Sequence, residues 1–187
     1  MIGEFKGEVK YKVITALLQA YQDVLDYDGM KSILKEAEML HLKNIRDEDP
    51  NQSLDFFSFK KIIAAQNCLL FDSSMLLFEI GKKFSFYLFP YGKNFEEIIQ
   101  EINSTIITDW KVKIVDNTQN EINIQVYKCI FCSESGTPCD LFTGFLVHSL
   151  EKSLSSDYTV RHYGDNLDSY DPNHNTFALK LKIEKKY

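Results

Sequence analysis

Near Trp110 the hydrophobic period of the chain changes from 3.6 to 2, and this change decides the fold class. Upstream, apolar residues recur at helical spacing. Ile14, Leu17, Leu18, Tyr21, Val24 and Leu25 form one stripe over residues 9–26, and Ile33, Leu34, Ala37 and Leu40 form another over 30–42. Asp28-Gly29 between them predicts a helix stop, because glycine accepts the left-handed conformation that ends helices. Residues 44–53 are polar and acidic and include Pro50, which predicts a loop. A helical pattern resumes over 54–66 through Phe56, Phe59, Ile62 and Ile63. Asp72-Ser73-Ser74 supplies N-cap residues for a helix over 75–88 with Leu77, Ile80, Gly81, Phe84 and Leu88 on one face. Asn94 and Glu97 have the spacing of a capping box, ahead of Phe95, Ile98, Ile99 and Ile102.

Downstream of the change, Trp110, Val112 and Ile114 alternate with Lys111, Lys113 and Val115. Ile122, Ile124 and Val126 alternate again after a turn, which predicts a hairpin with one buried face. Residues 139–154 are helical, with Phe142, Phe145, Leu146, Leu150 and Leu154 inward and Gly144 placed to admit another backbone. Two strands follow, over 158–163 and 176–184, the second with Phe177, Leu179, Leu181 and Ile183 on one side. This order predicts an α+β fold with helices packed on an antiparallel β-sheet. The 187 residues fit a single domain, 1–187, with a helical N-terminal extension or subdomain over 1–70 and a core over 71–187.

The net charge of -6 argues against nucleic acid, which needs clustered Lys and Arg. Lys180, Lys182, Lys185 and Lys186 alternate with Leu181 and Ile183, so they read as the solvent face of a strand. The amino terminus lacks a signal-peptide core, and no stretch reaches the roughly 20 apolar residues of a membrane span. A cytoplasmic protein is expected, with its thiols reduced.

Cys129, Cys132 and Cys139 lie within eleven residues, which admits a metal site, a redox pair or a packed turn. The redox reading is the weakest, because Cys132 precedes a Ser-Glu-Ser-Gly segment instead of opening a helix. A zinc knuckle meets the objection that the third cysteine follows by only seven residues and no HxxxH accompanies it. Cys68, in an apolar run, reads as core, and His148, off the inner stripe of its helix, reads as solvent-facing. No phosphate loop, nucleophile elbow or convincing carboxylate pair is present, so the chain is not expected to be an enzyme. The 14 Phe and 10 Tyr could line an apolar pocket or fill a core.

Cys129-x-x-Cys132, Pro138-Cys139 entering a helix, Thr143-Gly144-Phe145-Leu146 and the closing Asn175-Thr176-Phe177 resemble the 4-vinyl-reductase-like small-molecule-binding domain of hydrocarbon-binding proteins. Asp49-Pro50-Asn51 and Glu79-Ile80-Gly81-Lys82 extend the likeness upstream, and the same fold occurs in subunits of TRAPP vesicle-tethering complexes. The resemblance implies a small hydrophobic molecule held between helices and sheet, nearest Phe84, Leu88, Phe142, Phe145 and Leu146. It also implies a possible zinc site. The family's glutamate and two late cysteines are missing, and His162, Asp165 and His174 fall near their positions beside Cys139. The expected function is non-catalytic binding or sensing of an apolar ligand. The alternative is a TRAPP-like scaffold subunit that pairs as a homodimer or with a related subunit.

Overall fold

A computed structural model describes residues 6–131, 139–164 and 176–187. The first long helix, α1 (Tyr11–Glu36), runs through both stripes expected of separate helices. It bends at Asp26, whose φ is 65°. The Asp26 carboxylate accepts from the Gly29 amide at 2.9 Å and so caps the second half of the helix. The expected glycine stop is therefore an aspartate kink, three residues earlier.

α1 ends on Glu38, at φ 58°. The Met39 amide donates to the Leu34 carbonyl at 2.7 Å and the Glu38 amide to the Lys35 carbonyl at 3.0 Å. This is a Schellman closure with glutamate in the place glycine usually takes. The expected second helix to residue 42 and the loop after it give way to a 3-10 helix, Leu40–Asp47, that buries Leu42 and Ile45.

α2 (Phe56–Leu69) is capped by Asp55, whose carboxylate accepts from the Ser58 amide at 2.9 Å. α3 (Ser74–Leu88) and α4 (Phe95–Thr105) lie where the periodicity places them. The Asn94–Glu97 box closes in both directions, at 2.9 and 3.0 Å.

Three very short strands tie the N-terminal segment to two distant points. β1 (Glu8–Lys10) pairs antiparallel with β2 (Ser53–Asp55) and with β3 (Ile106–Ile107). Val9 faces Leu54 and Ile106, and all three are buried. Two or three residues carry no readable alternation, which is why the sequence did not announce this sheet.

The main sheet has the order β4-β5-β7-β6, from β4 (Lys111–Asn117), β5 (Glu121–Tyr127), β6 (Tyr158–Gly164) and β7 (Phe177–Lys185), all antiparallel. Ile124 pairs with Leu179, and Val126 with Phe177, on the buried face. These elements establish the expected α+β class.

α5 (Asp140–Ser153) crosses α3 at very short range. A Cβ on Gly81 would stand 1.8 Å from the Leu141 carbonyl oxygen, and one on Gly144 would stand 2.1 Å from that of Phe78. Farther along the seam the hydroxyls of Ser85 and Ser149, both fully buried, share a hydrogen bond of 2.7 Å. Lys152 donates to the Ser85 and Phe89 carbonyls and thereby satisfies the C-terminal end of α3. Among the described residues no helix is long and apolar enough to cross a membrane.

Candidate functional site

The close crossing of α3 and α5 brings their aromatic residues into one layer. Phe84 on α3 and Phe142 and Phe145 on α5 are fully buried, as is Phe131 just beyond β5. Trp110, immediately before β4, completes the group at 4% exposure. Phe131 and Phe142 stack at 5.4 Å with planes 9° apart, and Phe142 and Phe145 at 5.3 Å with planes 11° apart. Phe84 lies 5.1 Å from Phe145, and the Trp110 indole meets Phe142 edge-on at 5.1 Å and Phe131 at 5.6 Å. Offset stacks and edge contacts are the arrangements that aromatic quadrupoles favour.

Of the residues expected to contact a ligand, Phe84, Phe142, Phe145 and Leu146 are fully buried, and Leu88 packs half-buried against the same core. Phe131 and Trp110 belong to the layer but stood outside the expected set. A lone Trp opening a strand and a Phe between two cysteines were the available signals. Phe86 and Tyr91 face outward, at 42% and 85% exposure, despite belonging to the same aromatic-rich stretch.

One polar atom interrupts the layer. Trp110 Nε1 is buried and has no hydrogen-bond partner among the described residues. Three backbone groups near it in the chain do have side-chain partners. The Trp110 amide donates to Thr108 Oγ1 at 3.1 Å, and the Asn103 side chain bonds both the amide and the carbonyl of Val112.

Zinc is not indicated among the described residues. Cys139 is buried at the start of α5, whereas His162 is exposed on the edge strand β6 and stacks on Phe78 at 5.2 Å. Asp165 and His174 lie outside the described residues. Among the described residues no three His, Cys, Asp or Glu side chains gather to hold a metal ion. The geometry has a simple cause. A strand edge turned to solvent and a helix start turned to the core present their side chains in different environments. Cys129 is buried as well, but Cys68 is exposed at the end of α2, not in the core as expected.

His148 also departs from expectation. It is half-buried on α5 beside the lysines of α3, and its Nε2 is closed to solvent without a partner among the described residues. Burial, reinforced by Lys152, Lys82 and Lys83, pushes its pKa below the usual value, with Glu151 opposing.

A cleft of about 480 Å³ opens beside β6, over Phe78, Val147 and Val160, with Lys82, Glu151 and His162 around it. Its charges are already engaged. Lys82 pairs with Glu79 at 3.0 Å, and Glu151 accepts from the Val160 amide at 3.2 Å.

No protein-family model and no curated protein matches the chain. Solved structures do. An oxygen-binding H-NOX domain related to soluble guanylate cyclases matches with a TM-score of 0.59 at 12% identity, covering 96% of this chain and 98% of its own. An Fe(II) unliganded H-NOX protein from K. algicida matches with a TM-score of 0.58 at 11% identity, covering 95% and 98%. A structure described as modulating heme redox potential through protein-induced porphyrin distortion matches with a TM-score of 0.57 at 15% identity, covering 96% of each chain. These likenesses establish an H-NOX-like fold over nearly the whole chain and overturn the resemblance to 4-vinyl-reductase-like and TRAPP domains. Two of the motifs behind that resemblance have a local cause: Gly81 and Gly144 are glycines because two helices touch there, a need that unrelated folds share.

Heme, which the fold brings into question, does not fit the described residues. None of the three described histidines faces the stack. His41 and His162 are exposed, and His148 lies among lysines.

Proposed function

We propose that this chain is a non-enzymatic binding domain that takes a small apolar ligand, without heme, into the aromatic layer between α3, α5 and the sheet. The observation that carries the reading is the convergence of Phe84, Trp110, Phe131, Phe142 and Phe145 into one buried layer. Separate segments supply these rings, so a ligand there would touch the whole fold. Sites for small molecules are commonly apolar and aromatic, with few polar groups. Phe84, Leu88, Phe142, Phe145 and Leu146 are its first contacts.

The fold supports binding over catalysis, since the neighbours are described by oxygen and heme and not by a reaction. The sequence expectation of a non-enzyme agrees. Zinc has no place in this reading, and the scaffold alternative rested on the TRAPP likeness and goes with it.

Because the rings touch one another, a ligand enters by displacing a ring from the stack. Part of its binding free energy is spent on that opening, so affinities should be modest. Three measurements test the proposal. Crystals pressurised with xenon should show the gas beside Phe142 and Phe145, and toluene should raise the melting temperature. Titration with hemin should leave the Soret band of free hemin unchanged. Absence of both xenon density and a toluene shift would sink the binding reading, and a stoichiometric, shifted Soret band would sink the heme-free one.

A further inference from the structure

The unpartnered indole N–H of Trp110 adds chemistry to the aromatic layer. Its side chain is more than nine-tenths buried, it packs between the faces and edges of Phe131 and Phe142, and among the described residues no acceptor reaches Nε1. Buried donors in folded proteins are almost always satisfied, and a Trp placed in a core normally finds a partner for its N–H. Nearby backbone groups do have partners. The Trp110 amide has Thr108, and Asn103 closes both backbone groups of Val112. Ring faces are weak acceptors, well short of a carbonyl oxygen.

Resting on the reading of the layer as an apolar binding site, we infer that the ligand is a neutral carbonyl compound about the size of one phenyl ring. Its oxygen accepts from Trp110 Nε1. The ring stack supplies the apolar contact and sets the size, because the ligand takes the place of one ring. The single donor sets the functional group. Phe84, Phe131, Phe142 and Phe145 bring no charge to offset an anion, and burying an unpaired carboxylate costs far more than one hydrogen bond returns. A hydrocarbon fills the same volume but leaves the N–H as it was.

Trp110 is the sole tryptophan of the chain, so its indole resonance is unambiguous. The test compares acetophenone with α-methylstyrene, in which a C=CH2 group replaces the carbonyl at nearly the same shape. Both are titrated into the full-length protein labelled with 15N, with affinity read by calorimetry. Acetophenone should bind about three- to tenfold more tightly, the worth of one net hydrogen bond. It alone should move the Trp110 indole proton downfield. In Trp110→Phe the two probes should bind equally. Equal affinities in the unaltered protein, with the indole proton unmoved by the ketone, overturn the carbonyl assignment while leaving the apolar site standing. Failure of both probes to bind overturns the site itself, and this inference with it.

Discussion

His148 occupies a place where one proton changes the balance of charge between two helices. Its Nε2 has no partner among the described residues and no solvent, and Lys82, Lys83 and Lys152 already bring positive charge to it. The folded pKa therefore lies below that of the unfolded chain, about 6.5. Between those two values the unfolded state binds more protons, so stability is complete above about pH 6.5 and falls as the pH drops through this window. Urea unfolding of the protein and of His148→Gln at pH 7.5 and pH 5 should show the variant gaining on the parent in acid. A constant difference at the two pH values would exclude the effect. Lys152, which burial pushes down to about 8, is present in both proteins, so the comparison with His148→Gln isolates the histidine's share. The sequence placed His148 in solvent because a helical stripe defines one inner face. α5 packs on β6, α4 and, most extensively, α3, and α3 covers the flank that the stripe leaves open. Cys68 failed in the opposite sense. Its apolar run suggested core, but α2 ends there at the surface, with Leu69 and Phe71 exposed beside it.

The decisive contact between elements is the α3–α5 crossing. Gly81→Ala and Gly144→Ala each place a methyl group on a backbone carbonyl of the facing helix, where no side chain can rotate away. Each should cost about 2–3 kcal/mol in urea unfolding. The double variant should cost less than the sum, because either methyl alone already parts the same two helices. Values under about 0.5 kcal/mol for both, the range of ordinary surface changes, would show that the seam is looser than described. The capping box at Asn94 was legible because it is a local pattern, complete within four residues. The turns at Asp26 and Glu38 were not legible. Both residues adopt positive φ through interactions with their surroundings and not through any glycine-like freedom.

At the scale of the molecule, β1 joins the N-terminal segment to β2 and β3, and α1 lies against α3. The helical first 70 residues are therefore expected to unfold together with the rest. Urea transitions followed by helical circular dichroism and by Trp110 fluorescence should coincide, since the first reports mainly α1 to α5 and the second the aromatic layer. Two separated midpoints would mark residues 1–70 as an independent unit. Periodicity determined the α+β class, the hairpin and most helix positions, because period and capping are local properties that a few neighbouring residues carry in full. Which family of folds these elements build, and which rings share a layer, was decided by the tertiary structure alone. Trp110, Phe84 and Phe142 are separated by more than twenty residues, and their meeting depends on how closely two helices cross. Gly81 and Gly144 record that closeness without saying whose fold it serves, and that is why they pointed to the wrong family.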